Sequence, residues 1–411
     1  MRYLAKPLLF FASVCAASVL HAQSFDQIKL VPNDANSIAA FAYSLDIDGD
    51  VAVISAIGQR KVYVWERSAG VWQQIQLLLP EESITGLSYG YDVAISGQRI
   101  VVGAPWTGQA PVRPSAVYVF EKNAVGWSRS AKLATAIPED DDAFGSSVDI
   151  SGDRIVVGSP SVDVNAPNVG VAHIYFKSAG GWTQEARVNA SDIGAYDNFG
   201  NSVAIDGARV VVGSPGADNG SLTLNFNAGA AYVYEHINGI WLQAGKLTAP
   251  TIVGGESLGS AVAIKGDLIA VGAPSARVDN VSNRGAVDLF ERGGASWSHQ
   301  SRLHYTGSPD NVGYGRNGLA VGNNAVWIGA PQLRVNNTQE NSVLAYRRVA
   351  NSWIARRYVP FDGAQNAFGT ALAISGDDAL IGASSDLLGG AAYVLAPSDS
   401  IFRDGFETIA R

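Results

Sequence analysis

Two segments of the chain have the spacing of catalytic or cofactor motifs. Gly255-Glu256-Ser257-Leu258-Gly259 has the Gly-x-Ser-x-Gly spacing of a nucleophile elbow. There a strand, a sharp turn and a helix expose a serine for acyl transfer. Gly313-Tyr314-Gly315-Arg316-Asn317-Gly318 has the spacing of a dinucleotide fingerprint, which holds a pyrophosphate on a helix N-terminus. Asp46, Asp48 and Asp50 are two residues apart, and Glu139-Asp140-Asp141-Asp142 is a continuous acidic run. Either could offer oxygen ligands to a hard cation such as calcium. His173, His236, His299 and His304 show no pair at zincin spacing. Each of these chemistries depends on the element that carries the residues.

Those elements are set by an internal repeat. Trp72, Trp127, Trp182, Trp241, Trp297 and Trp353 recur at steps of 55, 55, 59, 56 and 56. Six residues after each comes Leu78, Leu133, Val188, Leu247, Leu303 or Val359. A second anchor, a large apolar residue followed by a small one, begins at Phe41, Tyr89, Phe144, Phe199, Leu258, Tyr314 and Phe368. A third, Gly-Ala-Pro or Gly-Ser-Pro, begins at Gly103, Gly158, Gly213, Gly272 and Gly329, with degenerate copies at Ser55 and Gly382. The step between these anchors is 14 residues in six copies and 15 in the sixth.

Within a copy the pattern reads as four strands. In the third copy, residues 147–150 alternate, a Ser-Gly-Asp turn follows, and Ile155-Val156-Val157 is a run suited to a strand covered on both faces. Two further strands follow, at 173–176 and 182–188. One four-stranded meander cannot bury two apolar faces alone, but seven packed around an axis can. The seventh copy ends near Leu395 without a Trp strand. Residues 24–32 supply one, with Phe25 at the Trp position and Val31 six residues on. The expectation is an all-β, seven-bladed propeller closed by its N-terminal strand. Its blades cover 41–80, 89–137, 144–190, 199–250, 258–305, 314–360 and 368–396 plus 24–32, within a domain of 23–397.

In this frame both catalytic motifs lead into strands and lose their helices. Asp46, Asp48 and Asp50 fall at a strand end and turn, in register with Asp149, Ser151 and Asp153, so the repeat turns do not support calcium. The acidic run lies in a blade-to-blade loop. No cofactor or metal is expected, and no catalytic constellation stands out.

Composition narrows the classes further. The 411 residues are 47% hydrophobic and 16% charged, with 45 glycines, which excludes a disordered chain or a coiled coil. A net charge of -8 argues against a nucleic-acid partner. Arg2 and Lys6 precede an apolar run from Pro7 to Leu20 and the small residue Ala22, the pattern of a signal peptide over 1–22. The only cysteine, Cys15, sits inside that run, and Val14 before it does not suit lipidation. Export to the periplasm, cell surface or medium is expected, with no transmembrane segment and a monomeric chain.

The paired anchors resemble the FG-GAP repeat family, known from the propeller of integrin α subunits. The short-turned copies are most similar to secreted bacterial members. The resemblance covers 24–396 and implies a binding protein, with adhesion or envelope organisation as its role. The tail at 398–411 resembles a short tail on exported proteins of some proteobacteria.

Loop lengths point to a working face. The turns joining first to second and third to fourth strands are short. Those joining second to third strands are long and varied, at 106–115, 161–169, 216–228, 275–284 and 332–341. Variable loops on a rigid scaffold are where binding usually resides. Trp106, Arg113, Tyr196, Phe226, Arg277, Arg284 and Arg334 are the candidate contacts there, for a protein or glycan ligand, with Leu222 and Leu224 beside Phe226. The alternative is a polysaccharide-acting hydrolase or lyase, which needs convergent carboxylates or a metal near the axis.

Overall fold

A computed structural model describes residues 27–34, 40–80, 86–106, 115–135, 143–192, 194–218, 226–305, 313–335, 338–350, 352–363, 367–384 and 389–395. The expected signal segment at 1–22, Phe25, the acidic run at 139–142 and the tail at 398–411 lie outside them. The described residues form seven four-stranded antiparallel sheets, each a meander, and one two-stranded hairpin, Arg334–Val335 with Thr338–Gln339. Blade 4 is representative, with strands Ser202–Asp206, Arg209–Ser214, Ala230–Ile237 and Ile240–Leu247. The protein is a seven-bladed β-propeller.

The core lies between blades. Seven buried clusters each join residues of two neighbouring blades. The second strands show why: Val210, Val211 and Val212 are all fully buried, although successive side chains point to opposite sheet faces. Both faces of each sheet are therefore covered, as the apolar runs required.

The glycines of the two anchors meet across blade boundaries. Within a blade, the N–H of Gly200 donates to the carbonyl of Gly213 at 3.0 Å. Across the boundary, a Cβ built on Gly213 would land on the carbonyl oxygen of Gly259 in the next blade. The same collision recurs for Gly103, Gly158, Gly272 and Gly329. Gly200 and Gly259 also have φ of 92° and 95°, a region that L side chains avoid. The anchor aromatics brace the third strand, with Phe41 edge-on to Tyr63 at 5.5 Å and Phe368 edge-on to Tyr393 at 5.3 Å.

The ring closes as the repeat count required. Gln27–Leu30 pairs antiparallel with Ala391–Leu395 as the outer strand of blade 7. The register differs from the expected one by one residue. Leu30 lies opposite Ala392, as Leu78 lies opposite Val62 in blade 1. Leu30 is therefore the buried residue, and Val31 is 39% exposed. A similar shift occurs in blade 6, where Tyr358, not Val359, faces Val343. Blades 1 to 5 carry a bulge between third and fourth strands, which inserts one residue. Blade 6 has no bulge, so the anchor falls five residues after Trp353.

A hoop of side-chain bonds runs around the short-turn end. The residue before each tight turn accepts from the turn N–H of the next blade: Asp48 from Gly97, Ser96 from Gly152, Ser151 from Gly207, Asp206 from Gly266 and Ser375 from Gly49, at 2.6–3.1 Å. Blades 5 and 6 put Lys265 and Gly322 at this position, and neither side chain can accept. Lys265 lies 3.5 Å from Asp206 instead.

Candidate functional site

The long-loop end gathers some of the expected contact residues and separates others. Trp106 is only 8% exposed. Its ring lies over Gly86, and its backbone N–H donates to Ser115 Oγ at 2.9 Å. It is part of the wall and offers no open ring. Arg113, Leu222 and Leu224 lie outside the described residues. Arg284 is mostly covered and pairs with Asp279 of its own loop at 3.0 Å. Arg277 is exposed, with its backbone N–H on Glu256 at 3.3 Å. The backbone of Arg334 begins the two-residue strand Arg334–Val335.

Tyr196 and Phe226 are the open aromatics of this set, 57% and 62% exposed. They flank blade 4, Tyr196 in the connection before it and Phe226 in its long loop. Tyr196 has φ of 66°, a left-handed conformation that costs about 1–2 kcal/mol for a residue with a Cβ. Its N–H donates to Pro167 O in blade 3 at 2.8 Å, and its carbonyl accepts from Asn198 Nδ2 at 2.9 Å. Phe226 is tied by its carbonyl to the N–H of Gly255 in the next connection at 2.8 Å. Both rings are thus held outward by fixed backbone.

The axis holds a second set of groups, of which the sequence pattern singled out Asp46 and Asp149 only as a strand end and Asp92 not at all. Asp46, Asp92 and Asp149 on blades 1, 2 and 3 line the central channel. Asp46 accepts from the N–H of Ile47 at 2.8 Å and of Ile95 in the next blade at 2.7 Å. Asp149 does the same with Ile150 and Ile205, both at 2.7 Å. Asp92 accepts from Val93, Val148 and the hydroxyl of Ser44. They staple blade to blade. The alternation along each first strand placed them, since every second residue there faces the axis.

Burial pushes Asp92 up to about 6 and Asp149 to about 7, against the pull of the backbone N–H bonds. Asp46 is also raised, by burial and by the negative charges of Asp149 and Asp48. The folded chain therefore keeps these protons to higher pH than the unfolded chain. The stability they contribute is present near pH 4 and is lost as pH rises through about 6 to 7. Relative to wild type, Asp149→Asn should gain stability across that window, by about 1.4 kcal/mol per unit of raised pKa. Urea midpoints at several pH values test this. The amide's lost acceptor gives only a constant offset, so a pH-independent difference between the two proteins would refute it.

The other chemistry-bearing residues are structural. Asp50 pairs with Arg67 at 2.7 Å, and Asp48 is in the hoop. Among the described residues no cluster of three or more His, Cys, Asp or Glu is placed to hold a metal ion. Leu258-Gly259 and Gly315 lead into the strands Ala261–Lys265 and Leu319–Gly322, so neither motif has its helix. Glu256 is instead 2% exposed and holds Arg302 at 2.7 Å. Arg302 also binds Asp288 at 3.0 Å, and His299 reaches Asp288 at 2.8 Å. His173 is buried edge-on to Phe144, and burial lowers it to about 4.

Seven blades joined by glycine-on-carbonyl contacts, with the last closed by the first strand, define a closed-ring repeat propeller. The FG-GAP repeat profile matches residues 25–68, 72–120, 127–175, 182–234 and 241–290, more than half of the chain. The protein belongs to the FG-GAP repeat family. Each match starts on an outer strand and runs through the first three strands of the next blade, the same offset that closes the ring. The matches stop before blade 6, where an anchor is slipped and the bulge is missing. No curated protein matches the chain.

Proposed function

We propose that this propeller is an exported, non-enzymatic binding protein that takes a protein or glycan ligand on its long-loop face, in adhesion or envelope organisation. Tyr196 carries the reading. Its aromatic ring stays more than half exposed, while its backbone is held in a conformation that costs energy. Gly86 and Gly255 also take a positive φ three residues before their anchors, so Tyr196 presents an exposed ring where two other blades have glycine, and aromatic side chains on rigid loops are common binding hot spots. Phe226 extends the surface across blade 4.

The test is binding of residues 23–411 to a panel of matrix proteins, glycans and cell-wall fractions, beside Tyr196→Ala and the Tyr196→Ala/Phe226→Ala pair. Hot-spot truncation typically costs 2 kcal/mol or more. At about 1.4 kcal/mol per decade, the single variant should lose at least tenfold in affinity, and the double variant more. Saturable binding unchanged by both variants would remove this face from the argument.

The hydrolase or lyase reading draws on the raised axial carboxylates, since perturbed acids in a cavity favour a functional site. Against it, the oxygens of Asp46 and Asp149 are used to hold the next blade. Turnover of a polysaccharide abolished by Asp92→Asn with folding intact would restore it.

A further inference from the structure

The long-loop end of the axis is a cavity of about 280 Å³. Its rim is set by one repeat position, the residue after each large-small anchor, with blade 6 offset by its one-residue slip. Five blades place a small polar side chain there: Ser146, Asn201, Ser260, Asn317 and Thr370. Blades 1 and 2, which are neighbours, place Tyr43 and Tyr91 instead. The two rings meet edge-on at 5.6 Å, and Tyr43 is 37% exposed.

The hydrogen bonds of the rim leave both acceptors and amide donors facing the cavity. Ser146 Oγ donates to Ala143 O at 2.5 Å, and Ser260 Oγ donates to Ser257 O at 2.8 Å. Asn201 Nδ2 donates to Ser260 O at 3.1 Å. These three protons are committed to backbone carbonyls, so the hydroxyl lone pairs and the amide carbonyls remain as acceptors, while the second N–H of Asn201 and the amide of Asn317 can still donate. Asp92 adds carboxylate oxygens on the cavity wall, and among the described residues no basic side chain lines this cavity. A ligand suited to it brings hydroxyl groups that both donate and accept, together with an apolar face, and carries no negative charge.

We propose that this axial mouth is a subsite for a single non-anionic saccharide residue, the terminal sugar of a glycan, packed against Tyr43 and Tyr91. Tyrosine pairs an apolar ring with a polar tip, and a sugar ring pairs C–H faces with hydroxyl donors. The volume falls just under the ~300–1,000 Å³ of pockets for drug-sized ligands, so one ring enters and a chain does not. The proposal rests on the binding role above and assigns its ligand class.

The experiment incubates residues 23–411 with an array of immobilised neutral, amino and acidic glycans, then competes with free glucose, N-acetylglucosamine, glucosamine and glucuronic acid. Tyr43→Ala and Ser260→Leu should each cut glycan binding at least tenfold with unchanged melting. The uronic acid should not compete. Ser260→Leu, on another blade, reads the same mouth if Tyr43→Ala fails to fold. Glycan binding lost in Tyr196→Ala but kept in both mouth variants overturns the subsite and leaves the loop-face reading standing. Preference for acidic glycans, or protein binding with no glycan binding, also overturns the subsite alone. No binding to glycan or protein overturns both.

Discussion

A chain lacking residues 1–30 should not form a stable ring. Its blade 7 would end on Ala391–Leu395, a strand whose five residues are all buried in the intact protein. The loss includes the four-residue ladder and the burial of Leu30, the latter about 2–3 kcal/mol by itself. It also includes Lys29, which bonds Asp362 at 2.7 Å where Asp362 meets the Tyr393 hydroxyl. Gln27 goes too; it spans the connection to blade 7, donating to Val359 O and accepting from Phe361 N. An open apolar edge strand also invites pairing between chains. Calorimetry should show a melting midpoint lower by 10 °C or more (about 2–4 °C per kcal/mol for a mid-sized domain), with aggregation in light scattering. A permutant carrying residues 23–34 after residue 396 should melt like the wild type. A truncated chain with an unchanged midpoint would show that the closing strand is dispensable.

Replacing Arg302 should be the most damaging single substitution in blade 5. Glu256 is 2% exposed and Asp288 is fully buried, and Arg302 bridges both. Burial opposes the guanidinium charge, yet hydrogen bonds to Glu256 and Asp288 hold its pKa above the ordinary arginine value. Arg302→Met leaves two buried carboxylates facing each other, and breaking a buried pair this way costs about 3–5 kcal/mol. Arg302→Lys keeps the charge but loses the fork that serves two carboxylates at once, so it should recover only part. The structure also supplies a repair. Blade 6 has Leu344 where blade 5 has Asp288, so Arg302→Met with Asp288→Leu and Glu256→Gln should return most of the stability. Chemical denaturation of the four proteins tests this. A single Arg302→Met variant within about 1 kcal/mol of wild type would mean that water already compensates the pair.

The blade count, strand order and closing strand were legible because the anchors repeat at nearly constant steps. The position of the core followed from second strands that are apolar on every residue. The register errors at Val31 and Val359 have one cause. Five blades carry a one-residue bulge, the described ladders of blades 6 and 7 do not, and a bulge leaves no residue-type signature in these outer strands. Trp106 looked like a contact because its residue type favours interfaces, but its ring covers Gly86, which no local pattern announces. The axial carboxylates were hidden differently. Asp46 and Asp149 occur in only two of seven copies, so comparing repeats made them look like noise at a strand end. Their meaning comes from the neighbouring blade, whose N–H groups lie about fifty residues away in sequence. Tyr43 and Tyr91 were missed for the same reason, since a ring of seven equivalent positions exists only after closure.

The hoop at the short-turn end gives the circle a seam. Five junctions are stitched by a side chain reaching forward to the next turn, and the two flanking blade 6 are not. The two chain ends meet inside blade 7, which is stitched to blade 1 but not to blade 6. Blade 6 therefore lacks this tie on both of its sides, whereas every other blade keeps it on at least one.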